Sequence, residues 1–290
     1  MAAPGEESLD HMERPREEVP VEATPVEPPV RDAPGEARPS APPPPAGAPA
    51  PPREAERDRV PEVERDRIRA AVEMVLDAPP ERLGERAFLM DVVRRVGIPF
   101  NDWPNLGAYQ DFHNASRAGL IQVPGEYVDF LLMLRNRRIH SFCEIGTDRG
   151  GFAVLTCAYL MRACGLEEYH VVDVADVFHD RAHFAARLPI TFHIPATSDD
   201  LAGHPFDVVF IDGDHSYGWA KRDFLNLGRH ARLCCFHDIK GHEYDGMGGG
   251  IVRFWGEIKQ SYSRRCSILE ISHAAPAWMG IGLLFLDERL

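Results

Sequence analysis

The stretch from Ser141 to Phe152, SFCEIGTDRGGF, constrains the fold of this chain more than any other. A short apolar run, Phe142-Cys143, leads into an acid, Glu144, and then into a turn carrying Gly146, Thr147, Gly150 and Gly151. The following GFAVLTCAYLMRACG sets Val154, Leu155, Ala158, Leu160 and Met161 at spacings that form the buried side of a helix. Strand, glycine turn and helix make a unit with a ready-made ligand end. Glycines let backbone approach a bound molecule closely, and the helix N-terminus offers unpaired N–H groups. The glycines are spaced Gly146-Thr-Asp-Arg-Gly150-Gly151, which is not the Gly-x-Gly-x-x-Gly pattern of dinucleotide binders.

Downstream of that unit, strands and helices alternate. The runs 168–174 (EYHVVDV), 190–194, 206–212 (FDVVFID) and 232–237 (RLCCFH) read as strands. Helical patterns lie between them at 177–187 and 217–230, and a further one follows at 251–261. FDVVFID is almost continuously apolar, as expected of a strand buried on both faces. Two closing strands, CSILEIS and MGIGLLFL, have no helix between them and should pair antiparallel. The expected fold is α/β, a doubly wound, mostly parallel sheet. Before it, residues 58–137 read as a helical preface. Ile68, Val72, Val75 and Leu76 share one helix face, Phe88, Leu89, Val92, Val93 and Val96 another, and Tyr127, Phe130, Leu131 and Leu134 a third. Such a preface could cap a site, pack as a layer or form a homo-oligomer surface.

Residues 1–57 differ in kind. Of the 25 prolines, 15 precede Arg53, and the segment is otherwise Ala, Glu and Arg with few large apolar residues. Too little apolar surface is available to offset backbone ordering, so a disordered, partly polyproline-II tail is expected. The tail has no basic start followed by an apolar core, so it does not read as a secretory signal. A net charge of −13 without a basic stripe argues against nucleic acid as a partner. No apolar run reaches membrane-spanning length. The six cysteines lack paired zinc spacing and read as reduced core residues of a cytoplasmic protein, with Cys234 and Cys235 on opposite faces of one strand.

Ligands of open parallel sheets sit beyond the carboxyl ends of the strands. That rule singles out Glu144 and its turn, Asp173, Ser198-Asp199, Asp212 with His215, and His237-Asp238. Asp173 can accept sugar hydroxyls, since a carboxylate is an acceptor only; it can equally be a solvated strand-end acid. Ser198 and Asp199 suit either a ligand contact or a helix cap. His215 is a candidate general base, or, with Asp214 and Ser216, the start of the next helix. Trp103, Tyr109, Phe112 and Trp219, with the loop Gly246–Gly250, could shape an aromatic-lined pocket or pack in the core.

Glu144, Gly146 and Gly150 match the acid-x-Gly-x-x-x-Gly motif, and this turn resembles that of class I S-adenosylmethionine-dependent methyltransferases. FIDGDHSY, FHDI, GGGIVRFWGEIK and MGIG follow in order and resemble the small-molecule O-methyltransferase group of cephalosporin-biosynthesis and macrolide-sugar enzymes, more distantly the catechol O-methyltransferases. The resemblance covers about 123–286. It implies a seven-stranded Rossmann-like methyltransferase sheet over 138–290 and methylation of a small-molecule hydroxyl. It implies a cofactor site of Glu144, Gly146, Thr147, Gly150, Asp173, Ser198, Asp199 and Asp212. It also implies a Mg²⁺-like divalent ion on Asp212 and Asp238, with His237 where catechol-type relatives carry an acid. The cluster Asp212, His215, His237 and Asp238 leaves a metal-dependent hydrolase as an alternative, and the proline-rich tail leaves a non-catalytic docking scaffold as another.

Overall fold

The computed structural model describes residues 60–97, 118–242, 244–273 and 279–287. The expected tail and the aromatic residues Trp103, Tyr109 and Phe112 lie outside the described residues. From Val60 onward the described chain belongs to one compact unit.

Three helices come first: α1 (Glu62–Leu76), α2 (Arg86–Val96) and α3 (Pro124–Leu134). Glu62 and Glu64 sit in the first turn of α1, where negative charge meets the positive helix end. A left-handed Gly97 (φ 80°) ends α2, and Pro124 starts α3 at the position that needs no N–H donor. The alternating part follows as β1 (Ser141–Ile145), α4 (Gly151–Ala163), β2 (Glu168–Val172), α5 (Arg181–Ala185), β3 (Ile190–His193) and β4 (Val208–Ile211). Then come α6 (Tyr217–Asn226), β5 (Leu233–Lys240), α7 (Gly250–Tyr262), β6 (Ser267–Ile271) and β7 (Met279–Phe285).

The seven strands form one sheet in the order β3-β2-β1-β4-β5-β7-β6. The first five pair in parallel, and β7 runs antiparallel between β5 and β6. This is the Rossmann-like methyltransferase sheet that the resemblance implies. Two local expectations are corrected. The helix read over 177–187 contracts to the five residues of α5, and the fifth strand continues past His237 to Lys240.

Strand periodicity divides the core between the two faces of the sheet. Phe142, Tyr169, Val171, Val208, Phe210 and Cys235 pack with α1 to α4, while Cys143, Val172, Val209, Ile211, Cys234 and Phe236 pack with α6 and α7. Cys234 and Cys235 thus face opposite ways, and all six cysteines are free. The preface shares the first of these cores and is bonded into it. Tyr127 Oη lies 3.0 Å from Thr156 Oγ1, and Tyr159 Oη donates to the Leu83 carbonyl at 3.1 Å. No helix among the described residues is long and apolar enough to cross a membrane.

Glu126, on α3, is fully buried, and its carboxylate accepts the N–H groups of His273 (2.5 Å) and Gly280 (3.2 Å). It ties the preface to both ends of the segment between β6 and β7. Glu126→Ala should orphan these donors at a cost on the order of 1–3 kcal/mol each. Denaturant unfolding is expected to show that loss, and a change below about 0.5 kcal/mol, the size of an ordinary surface substitution, would contradict it.

Candidate active site

The carboxyl ends of β1, β2, β4 and β5, with the loop entering α3, enclose a cleft of about 440 Å³. Its floor is the glycine turn. Gly146 has φ 82°, and a Cβ there would stand 2.3 Å from the Asp212 carbonyl oxygen and 2.4 Å from Gly213 Cα. The close approach foreseen between turn and ligand is, at this position, an approach between two backbones. It lets the loop after β1 touch the loop after β4. Gly150 (φ 86°) similarly leaves room for the Phe178 ring, which would meet a Cβ at 2.4 Å.

Asp173 follows β2 and fixes the turn from the side. Its Oδ2 accepts the N–H groups of Thr147 (2.9 Å) and Asp148 (3.0 Å), and its Oδ1 accepts that of Ala175 (2.9 Å). A carboxylate has about four lone-pair sites, so one remains, enough for one sugar hydroxyl rather than two. Ser198 lines the cleft but donates its hydroxyl to Asp223 Oδ1 at 2.6 Å. Asp199 does not line the cleft. Arg222 and Asn226 hold its carboxylate on the outer side of the short turn that Thr197 caps, because the capping box turns residue 199 outward.

The polar end of the cleft converges on Asp212. Its Oδ1 receives His237 Nδ1 at 3.0 Å and His215 Nε2 at 3.2 Å, and its Oδ2 receives Gln122 Nε2 at 2.6 Å. One ligand atom each of Asp212, His215 and His237 lie within 4.8 Å of one another. Asp238, expected as the second metal carboxylate, is not in that trio. Its Oδ2 is bonded by the Tyr244 hydroxyl, while its Oδ1 stands 3.3 Å from His237 Nδ1. Consecutive strand residues ordinarily face opposite sides. Here the β5–β7 register slips between His237 and Lys240, and Asp238 adopts φ 57°, so both side chains approach the Asp212 cluster.

Residues 143–239 match the family model described as a methyltransferase domain. Over those residues the chain is similar to a methyltransferase domain. No curated protein matches the chain in sequence. Among solved structures, the O-methyltransferase TomG of Streptomyces achromogenes is 17% identical over 58% of this chain and 82% of its own, at a TM-score of 0.44. An O-methyltransferase of Bacillus cereus is 16% identical over 68% and 90%, also at 0.44. The Podospora anserina methyltransferase PaMTH1 is 15% identical over 77% and 95%, at 0.43.

The alternating strands and helices bring together most of the residues expected from the sequence: Glu144, Gly146, Thr147, Gly150, Asp173, Ser198, Asp212, His215, His237 and Asp238 all line the cleft. Gln122 was not foreseen. It lies in the loop before α3, and no spacing marks an isolated amide as a partner of an acid 90 residues later. Tyr244 and Asp223 were missed for the same reason.

Charge at the polar end is set by burial and by the cluster itself. Burial alone would push the Asp212 carboxyl up, yet the two imidazoles hold it well below the usual carboxylate range. Burial would lower His237, but Asp212 and Asp238 lift it to about 9. His215 is also raised: burial opposes the shift, and Asp212 and Asp238 outweigh it.

Glu144 behaves in the opposite way. It lies under the turn, accepts the Tyr169 hydroxyl at 2.6 Å, and is raised from 4.5 to about 8, chiefly by burial. A folded pKa above the unfolded one means that this group favours folding below pH 4.5. That contribution is lost as pH climbs through about 8. Glu144→Gln keeps an acceptor for Tyr169 and removes the ionisation. Thermal melts of both proteins between pH 4.5 and 8 are expected to diverge in the variant's favour as pH rises. Parallel curves would contradict the assignment.

Proposed function

We propose that this chain methylates a hydroxyl of a small molecule, using S-adenosylmethionine bound on the glycine turn. The observation that carries the reading is that the turn anchored by Asp173 and the Asp212–His215–His237 cluster open on one cleft. A cofactor on the turn and an acceptor oxygen at the cluster would share that one cleft. When bound, S-adenosylmethionine supplies a methyl group on a sulfonium, whose S–C bond breaks as the new O–C bond forms.

The chain's own residues have two tasks. The first is alignment. The turn and Asp173 hold one partner while the cluster at the other end of the cleft holds the acceptor, so the collision becomes an oriented, effectively unimolecular event. The second is the proton of the acceptor hydroxyl. Asp212 Oδ1 engages His215 Nε2, which fixes the tautomer and leaves Nδ1 as the nitrogen that takes that proton. His215 is the member of the cluster with the more exposed imidazole, at 22% against 1% for His237, so it is the one a substrate can reach. The Mg²⁺ implied by the resemblance does not fit the donors gathered here. The three closest donors are two imidazoles and one carboxylate, and Asp238 Oδ2 is taken up by the Tyr244 hydroxyl, so nitrogen outnumbers free oxygen where Mg²⁺ prefers an octahedral shell of oxygens. No step is assigned to it.

Calorimetry with S-adenosylmethionine tests the proposal. The natural chain should bind it, and Asp173→Ala should weaken binding by roughly 10- to 150-fold, the worth of a charge-assisted hydrogen bond. Asp173→Asn, which keeps an acceptor oxygen but no charge, should fall between. Absence of binding to the natural chain would favour hydrolysis, which has no use for a sulfonium. Unchanged affinity in folded Asp173→Ala would remove that residue from the site.

A further inference from the structure

The Asp212 cluster has a property that methyl transfer does not require. An ion bound at about 2.1 Å to neighbouring ligands sets those ligands about 3.0–3.4 Å apart in an octahedral or tetrahedral shell. His237 Nδ1 and His215 Nε2 stand 3.0 and 3.2 Å from Asp212 Oδ1, already within that spacing. Gln122 bonds the other oxygen of the same carboxylate, as the outer partner of a ligating acid does. Asp238 Oδ1 is buried beside His237 without a hydrogen bond of its own, so a second negative charge lies against the three donors.

We propose that Asp212, His215 and His237 form a binding site for a nitrogen-preferring divalent transition ion, of the Zn²⁺ or Co²⁺ kind, and discriminate against Mg²⁺. Imidazole suits zinc, iron, nickel and copper, whereas carboxylate, carbonyl and water oxygens suit magnesium. Two neutral imidazoles and the carboxylates of Asp212 and Asp238 balance a double positive charge. Three protein ligands leave at least one position open to a small molecule in the cleft. The proposal stands apart from methyl transfer. An ion on His215 Nε2 forces the proton to Nδ1, so His215 serves as a ligand or as a base, never both at once.

The test uses the full chain without a histidine tag, stripped with chelator and then dialysed. Calorimetry with Zn²⁺, Co²⁺ and Mg²⁺ should give one equivalent of Zn²⁺ or Co²⁺ per chain, with Mg²⁺ binding at least about 100-fold more weakly. Bound Co²⁺ should show visible absorption bands typical of nitrogen ligation. His215→Ala and Asp212→Asn should each weaken Zn²⁺ by more than about tenfold. His237→Ala should do the same, and since that side chain is wholly buried, His215→Ala decides if the variant fails to fold. His193→Ala, which removes the bonded pair of His170 and His193 outside the cleft, should leave affinity unchanged. Mg²⁺ binding as tight as Zn²⁺, no binding of any of the three ions, or Zn²⁺ binding indifferent to His215→Ala and Asp212→Asn would overturn the proposal.

Discussion

Asp212 is the point on which the site depends. Its backbone carbonyl lies so close to Gly146 that no side chain fits between them, and its carboxylate meets Gln122 and His237 from two other segments and His215 from its own loop. Glycine at 146 makes the contact sterically possible. Burial then makes it consequential, because a carboxylate removed from water must be fully bonded. Gln122, His215 and His237 meet that need, and in doing so they are drawn into one place from the preface, the loop after β4 and β5. The same contact joins the two ends of the cleft, since the turn that touches Asp212 on one side is held by Asp173 on the other.

The fold was legible in the sequence because it is written in local patterns. Continuous apolar runs such as FDVVFID can only be strands covered on both faces, and helices between them force parallel pairing. The absence of a helix before MGIGLLFL led to the antiparallel β7. The site was legible as far as strand ends dictate it, which is why Glu144, Asp173 and Asp212 fall where expected. What was not legible depends on contacts between distant segments. The slip in β5 that turns His237 and Asp238 toward one cluster follows from pairing with β7, not from either residue. Gln122 reaches Asp212 only because α3 packs against the sheet. Asp199 illustrates the reverse: a strand-end acid captured by Arg222, whose position no pattern near residue 199 reveals.

Glu144 and Asp212 show how one sheet edge makes two different acids. Both follow apolar strands and both are largely buried. Glu144 meets a neutral phenol and stays protonated near neutrality, while Asp212 meets two imidazoles and stays charged. The buried acid under the turn is therefore neutral, and the one at the polar end of the cleft is ionic.

The central claim is that this cleft holds an adenosyl cofactor, and mass spectrometry of the purified protein tests it most directly. The protein is sprayed under native conditions after incubation with S-adenosylmethionine and again after denaturation, so that any retained small molecule is weighed twice. The account predicts one adenosyl cofactor per chain, released on denaturation and displaced by S-adenosylhomocysteine. A chain that is folded, retains no adenosyl compound and takes up none on incubation would contradict it.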